Sequence, residues 1–598
     1  MRRLVTLFAA LALAAPLAMA GTNDANPKKE DAPAAKSAPA STAASKPAAP
    51  AAKTDAPAKP ESSATESEVN ELRSLVQQQS QELEAQRAAL AEQQKKMQAL
   101  EEKLSGNGSA QPGAAVGTAV AAPALAVSPM ATAPGANPAI TPPASAGSAP
   151  ATLAAAAKDP QAGGEEASPL QFRIGSAYIT PVGFMDFTGV WRSHDGGSGI
   201  GTNFAGIPYG NVFQNNLSEF RLSMQNSRIG FRVDAMVKGA HVIGYMESDY
   251  LGNNPGNVAV SSNSNTLRSR LYWVDVQKNK WEILGGQTWS LITPGRTGIS
   301  PLPGNIFFSQ NIDVNYQAGL VWGRIPELRF VFHPSSKAAL AFALDSPEQY
   351  AGGSAGGATI TYPAGLTALG GTQLDTGGTT VAAPNLAPDI IAKVAIDPVS
   401  KFHFEFGGVE RQFKLWNPTT GVTSTKTGGG VFLNLNAEIA PGFRILTNNF
   451  WSDGGGRYIF GQVPDVIVHA NGSPSPIHSG STVSGFEFTH KNTLLYAYYG
   501  GIYTQKNVAL DTNGTSFIGY GYAGSPSAQN RMVQEETFGL SQTVWKDAKY
   551  GALNLMGQFS YLNRNPWAII SGQPSDAHLA MMFFNLRYTL PGSAPAMK

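Results

Sequence analysis

From about residue 170 the chain alternates apolar and polar side chains with period two. Phe402, Phe404 and Phe406 alternate with Lys401, His403 and Glu405. Val431, Leu433 and Leu435 enclose Asn434, and Asn436 and Glu438 continue the polar series. Leu553, Leu555, Gly557, Phe559 and Tyr561 alternate with Asn554, Gln558 and Ser560. Ile229, Phe231, Val233 and Ala235 alternate with Arg228, Gly230, Arg232 and Asp234. Successive strand residues point to opposite faces, so each run predicts a strand with one apolar and one polar face.

Runs of about nine to thirteen residues suit a tilted membrane crossing, whereas globular strands usually hold about five or six. Aromatics stand near the ends of the runs: Trp191, Tyr250, Trp451, Tyr503, Trp545, Tyr561 and Tyr588. Interfacial girdles place them so. A soluble sandwich is the competing fold; it would turn its apolar face inward. Short turns fall at 238–240, 278–280, 334–337, 397–400, 441–442, 490–492 and 546–549. Long connections fall at about 193–217, 252–265, 290–326, 346–388, 413–429, 453–481, 505–531 and 563–577. Seven short and eight long connections predict an all-β transmembrane barrel over 169–591 with about sixteen antiparallel strands, both chain ends lying on the short-turn, periplasmic side. Tyr316 to Arg324 also looks strand-like. Counting it would turn 346–388 into a periplasmic turn of some forty residues, so it is assigned to the third long connection.

The front of the chain reads differently. Arg2, Arg3, the apolar run Leu4–Leu17 and Ala18-Met19-Ala20 have the form of a secretory signal peptide over 1–20. Residues 21–65 and 105–168 are rich in Ala, Pro, Ser, Thr, Lys and Gly and predict disordered linkers. Between them Val69, Val76, Leu83, Leu90, Met97 and Leu104 recur every seven residues, with Leu72, Gln79, Gln86, Gln93 and Leu100 offset by three. This a/d series predicts a coiled coil over 66–104 in the periplasm, with the number of strands left open. Residues 592–598 form a tail after the last alternating strand.

Composition then removes whole classes. The 598 residues contain no cysteine, which excludes disulfides, thiol catalysis, Cys-ligated metals and an acylated-Cys anchor. The net charge of +1 gives no field for nucleic acid. The eight histidines form no His-x-His or His-x-x-x-His pair, and no Gly-x-Ser-x-Gly elbow or Walker loop occurs. Glu535 and Glu536 are adjacent, so they point to opposite faces and make no acid pair. The expectation is no enzyme, no metal and no cofactor. A barrel hydrolase built around His241 or His403 is the weak alternative.

The plan of signal peptide, coiled coil and barrel resembles that of the DcaP-like outer-membrane porins. Gly285-Gly286-Gln287-Thr288-Trp289-Ser290-Leu291-Ile292-Thr293-Pro294 is similar to a fifth strand entering the constriction loop. Asn315-Tyr316-Gln317-Ala318-Gly319-Leu320-Val321-Trp322-Gly323-Arg324 is similar to that loop's return. The resemblance implies a homotrimer in the outer membrane of a Gram-negative-type cell and passive uptake leaning toward small dicarboxylates.

A wide barrel has a wet interior whose polar side chains set selectivity. The pore-lining candidates are Arg228 and Arg232 on the second strand, Arg268 and Arg270 on the fourth, Arg329 on the sixth beside His333, and Glu247 and Asp249 on the third. Arg296, Asp313 and Arg324 belong to the constriction loop. A basic wall facing a folded-in loop would favour anions; alternatively the arginines pair with Asp234, Glu247 and Asp249 as struts. Two other functions compete with a diffusion porin. One is a cell-wall tether or adhesin that uses the barrel as anchor in the lipid bilayer, with Lys28, Lys29, Lys36, Lys46, Lys53 and Lys59 touching peptidoglycan or another anionic wall polymer. The other is a saturable sugar channel. That channel needs a ladder of inward aromatics, and the alternation places only Phe432, Tyr499 and Phe583 inside.

Overall fold

The computed structural model describes residues 169–591, apart from 256, 258, 262, 307, 308, 354, 355 and 377–386. The signal peptide, both linkers, the coiled coil and the tail lie outside the described residues.

Sixteen strands form one barrel. They are β1 (Ala177–Arg192), β2 (Arg228–Val237), β3 (Ala240–Asp249), β4 (Arg268–Lys278), β5 (Trp281–Trp289), β6 (Arg324–Ser335), β7 (Ala338–Asp345) and β8 (Asp389–Val399). The second half holds β9 (Phe402–Trp416), β10 (Thr423–Ala440), β11 (Phe443–Asp453), β12 (His478–His490), β13 (Thr493–Thr504), β14 (Asn530–Asp547), β15 (Gly551–Pro566) and β16 (Ala577–Thr589). Each pairs antiparallel with its sequence neighbour, and β16 closes on β1 from Phe184↔Thr589 to Arg192↔Met581. Closure leaves no edge strand with unpaired backbone groups. Two short strands, Phe172–Ile174 and Glu219–Ser223, pair on β1. No described helix is long and apolar enough to cross a membrane.

All seven short turns fall where the alternation predicts them. Of the long connections, 413–429 is different. β9 and β10 continue as a paired ladder from Gln412↔Thr427 to Trp416↔Thr423, leaving only 417–422 as loop. The Thr, Ser, Lys and Gln side chains there weaken the apolar pattern, while the backbone bonds continue regardless of side chain. The segment Tyr316–Arg324 stays in the third connection until β6 begins at Arg324, as the strand count requires.

The alternation sorts side chains inside out. Phe402, Phe406, Phe330, Phe342, Leu433, Phe538, Phe584 and Leu586 are exposed on the outer wall. Asn434, Asn448, Glu405, Arg411, Glu487, Glu535 and Arg587 are buried inside. An outer apolar belt around an ion-lined interior is the order a bilayer imposes on a barrel.

Candidate functional site: the filled lumen

The interior is packed with side chains from the long connections. Ile200 and Phe204 enter from the first, Val314, Tyr316, Leu320, Val321 and Trp322 from the third, Leu366 and Leu374 from the fourth, and Tyr458, Ile459 and Val466 from the sixth. All are buried. A single apolar cluster joins them to inward wall residues such as Val190, Trp289, Phe432, Val483 and Phe583.

The third connection, residues 290–323, is tied to the far wall. The Arg296 guanidinium meets Glu487 on β12 at 2.7 and 3.0 Å, with both side chains buried. The Gln310 amide donates to the Tyr498 hydroxyl on β13 at 3.0 Å, and the Ile312 amide to Gln558 Oε1 on β15 at 2.5 Å. The Ala318 amide donates to Glu535 Oε2 on β14 at 2.8 Å, and the Val321 amide to Asn448 Oδ1 on β11 at 3.2 Å. Contact with the wall is close: a Cβ at Gly500 would lie 2.0 Å from the Ala318 carbonyl oxygen. Asp313 accepts from the Thr202 hydroxyl at 2.5 Å, which ties the third connection to the first. Burial pushes the Asp313 carboxyl above its ordinary value, opposed by Arg192.

The loop's return is an aromatic stack. Trp322 lies on Phe460 with centroids 4.8 Å apart and planes at 21°, and Phe204 meets Phe460 edge-on at 6.2 Å. The Trp322 amide donates to the Tyr458 carbonyl at 2.9 Å. Phe460 holds φ at 51°, a conformation that bulky residues rarely adopt without support from their surroundings.

The predicted arginine wall forms, and its members are paired. Arg228 meets Glu247 at 3.2 Å; Arg270 meets Glu247 at 2.9 Å and Asp249 at 2.7 Å; Arg268 meets Asp249 at 2.7 Å. Arg324, expected in the constriction loop, is instead the first residue of β6 and joins them there, with its guanidinium 5.5 Å from the Trp289 ring and 5.9 Å from that of Trp322. Arg232 is a separate pair with Asp234 at 2.8 Å, and Arg329 pairs with Glu327 and donates to the Trp289 carbonyl. The strut arrangement therefore accounts for Arg228, Arg232, Arg268, Arg270 and Arg329. A small, partly open pocket lies at the loop's root, lined by Thr293, Ser300, Ile306, Arg329, Lys393 and Glu405 among others.

Several inner ions escape the sequence reading. Lys393 meets Glu405 at 3.1 Å, and Arg411 binds Asp389 at 2.9 Å and Asp465 at 2.7 Å. Their strands show the same inner-face alternation; only the distant partner in a loop is invisible locally. In the fourth connection Asp375 accepts from the Ala351 amide at 2.8 Å. Burial pushes its carboxyl up to about 7, and the nearby Glu348 and Asp465 add to the rise. The aromatic inventory is also corrected. Tyr499 is exposed and faces outward, bonded to Gln534 at 2.7 Å, while Tyr496 and Tyr498 face inward, as do Phe450, Trp273 and Tyr245. A tyrosine pair preceding two glycines leaves the register ambiguous by one residue, and a one-residue shift reverses the face. His241 and His403 bond to Asp234 at 3.0 Å and Asp397 at 2.8 Å. No cluster of His, Asp or Glu able to hold a metal occurs among the described residues. Glu535 and Glu536 point in and out respectively, as their adjacency requires.

No family model matches the chain, and no curated protein does. Among solved structures it is similar to the outer membrane channel DcaP of Acinetobacter baumannii, at 15% identity and a TM-score of 0.51, over 71% of this chain and 100% of that one. The fold is that of an outer-membrane channel barrel. A second similar structure is an anion-selective porin from Comamonas acidovorans, at 11% identity and a TM-score of 0.39, covering 69% of this chain and 99% of that one.

Proposed function

We propose that this protein is an outer-membrane porin, a homotrimer that lets small hydrophilic solutes diffuse across the membrane with a mild preference for anions such as small carboxylates. The reading rests on one arrangement: a closed sixteen-strand barrel with an apolar outer belt, whose ionised inner wall faces a folded-in third connection. The anion preference rests on the gathering of Arg228, Arg268, Arg270 and Arg324 on one inner wall facing the folded-in connection, with Glu247 and Asp249 among them. At about 8 Å screening in physiological salt, charges beside a narrow passage still act on a passing ion.

The pure protein in planar bilayers tests this. Stepwise conductance is expected, with a reversal potential on the anion side under a salt gradient. Arg268→Ala with Arg270→Ala should move that potential toward cations. Cation selectivity in the parent, or no shift in the double variant, would show that these arginines act only as struts.

The dense apolar filling of the mouth favours one second reading, a wall tether or adhesin anchored by its barrel. Bilayers that stay silent at all voltages would favour it over the porin.

A further inference from the structure

One member of the arginine cluster is placed by aromatic rings as well as by the sheet. Arg228, Arg268 and Arg270 stand on wall strands and meet carboxylates at 2.7–3.2 Å. Arg324 opens β6, where the third connection rejoins the wall, directly opposite Trp289 on β5. Its guanidinium lies over the Trp289 and Trp322 rings. A long arginine arm at a strand end follows the surface it packs on, so the position of Trp322 directs this charge.

Trp322 in turn is set by the sixth connection. Its ring stacks on Phe460 at 4.8 Å, its amide donates to the Tyr458 carbonyl at 2.9 Å, and it forms a parallel bridge with Ile459. Tyr316 meets the same indole edge-on at 5.7 Å. The support beneath is itself anchored. The Tyr458 hydroxyl bridges Asp389 and Asp345 at 3.0 and 3.2 Å, and the Arg457 amide donates to Asp465 at 2.8 Å. Phe460 keeps its place at a φ of 51°. Glycine would take that conformation without strain but would offer Trp322 no ring. A bulky residue held there marks a place where the surrounding structure overrides local preference, and the side chain so placed carries Trp322.

We propose that Phe460 is a positioning residue for ion selectivity: through Trp322 it holds the Arg324 guanidinium within the arginine cluster, so the sixth connection sets the charge that a passing ion meets. Arg324 keeps its charge whatever becomes of the ring; Phe460 governs where that charge stands. With screening over about 8 Å, a guanidinium swung away from the passage acts on an ion much more weakly. The inference rests on the anion-preference reading above and adds which residue outside the wall maintains it. A ring that merely filled the core would alter stability and leave selectivity alone.

Reversal potentials of the pure protein in planar bilayers under a salt gradient decide between these, read for the parent, Arg324→Gln, Phe460→Leu, their combination and Phe460→Tyr. Arg324→Gln is expected to lower the anion-to-cation permeability ratio roughly twofold, the effect of one screened unit charge about 8 Å from the ion. Phe460→Leu should lower it by a comparable factor, and the double variant no further. Phe460→Tyr keeps a stacking face and should hold the parent ratio. Phe460→Met takes the place of Phe460→Leu in this comparison if the latter yields no folded barrel. A parent ratio in Phe460→Leu, a fall that multiplies with that of Arg324→Gln, or a Phe460→Tyr shift as large as that of Phe460→Leu would overturn the proposal and leave the anion reading standing. An unselective parent, or Arg324→Gln without effect, would overturn the anion reading and the proposal with it.

Discussion

The tie between Arg296 and Glu487 offers a direct perturbation of the lumen. The two groups make a bidentate pair at 2.7 and 3.0 Å in a buried setting, and the Tyr498 hydroxyl also donates to Glu487 at 2.8 Å. Arg296→Ala leaves the carboxylate buried without its cation. Breaking one side of a buried pair costs about 3–5 kcal/mol. Each 1.4 kcal/mol is a factor of ten, so the lower bound already moves the docked-to-undocked balance of the third connection by roughly two orders of magnitude. The barrel itself keeps its ladder, because neither group supplies a backbone bond of the sheet. Single-channel recordings should therefore show larger or noisier conductance in Arg296→Ala, with the heat-dependent mobility of the folded barrel retained. Arg296→Ala combined with Glu487→Ala removes the stranded charge and should unfold at a higher temperature than Arg296→Ala alone. Conductance and thermal stability unchanged in the single variant would refute the view that this pair holds the loop.

Gly500→Val should displace the third connection, since even a Cβ meets the Ala318 carbonyl oxygen at 2.0 Å; enhanced proteolysis within 310–320 on a folded barrel is the expected sign. Asp375 gives a pH dependence: with its folded value near 7 against an ordinary 3.8, the folded chain holds more protons between those limits, so docking of the fourth connection weakens as pH rises through them. Amide exchange over 349–376, corrected for intrinsic rates, should be slower at pH 5 than at pH 8, and Asp375→Asn should flatten the difference. Cysteine placed at Leu83 should trap the barrel's own oligomer on oxidation; monomer alone would count against a coil that shares the barrel's symmetry.

Strand number, strand boundaries and the face of most wall residues were legible locally. A membrane barrel forces each strand to satisfy two solvents at once, so period two is written into every segment, as at Phe402–Phe406 and Ile229–Ala235. The register of all seven turns followed from the same rule. It faltered where both faces are polar, as in Thr423–Lys426, and where tyrosines occupy both faces, as at Tyr496–Tyr499. The candidate arginines were also legible as inner-face residues, because a guanidinium on the lipid face at mid-membrane costs about 2–4 kcal/mol. Their partners were only partly so: Glu247 and Asp249 lie on the neighbouring strand, within reach of alternation arguments. The union of Arg296 with Glu487, of Asp313 with Thr202 and of Arg411 with Asp465 joins positions tens to hundreds of residues apart. Only the closed tertiary structure brings these together, because a loop that folds inward answers to the shape and charge of a wall built from distant strands, and no period along the chain encodes that distance.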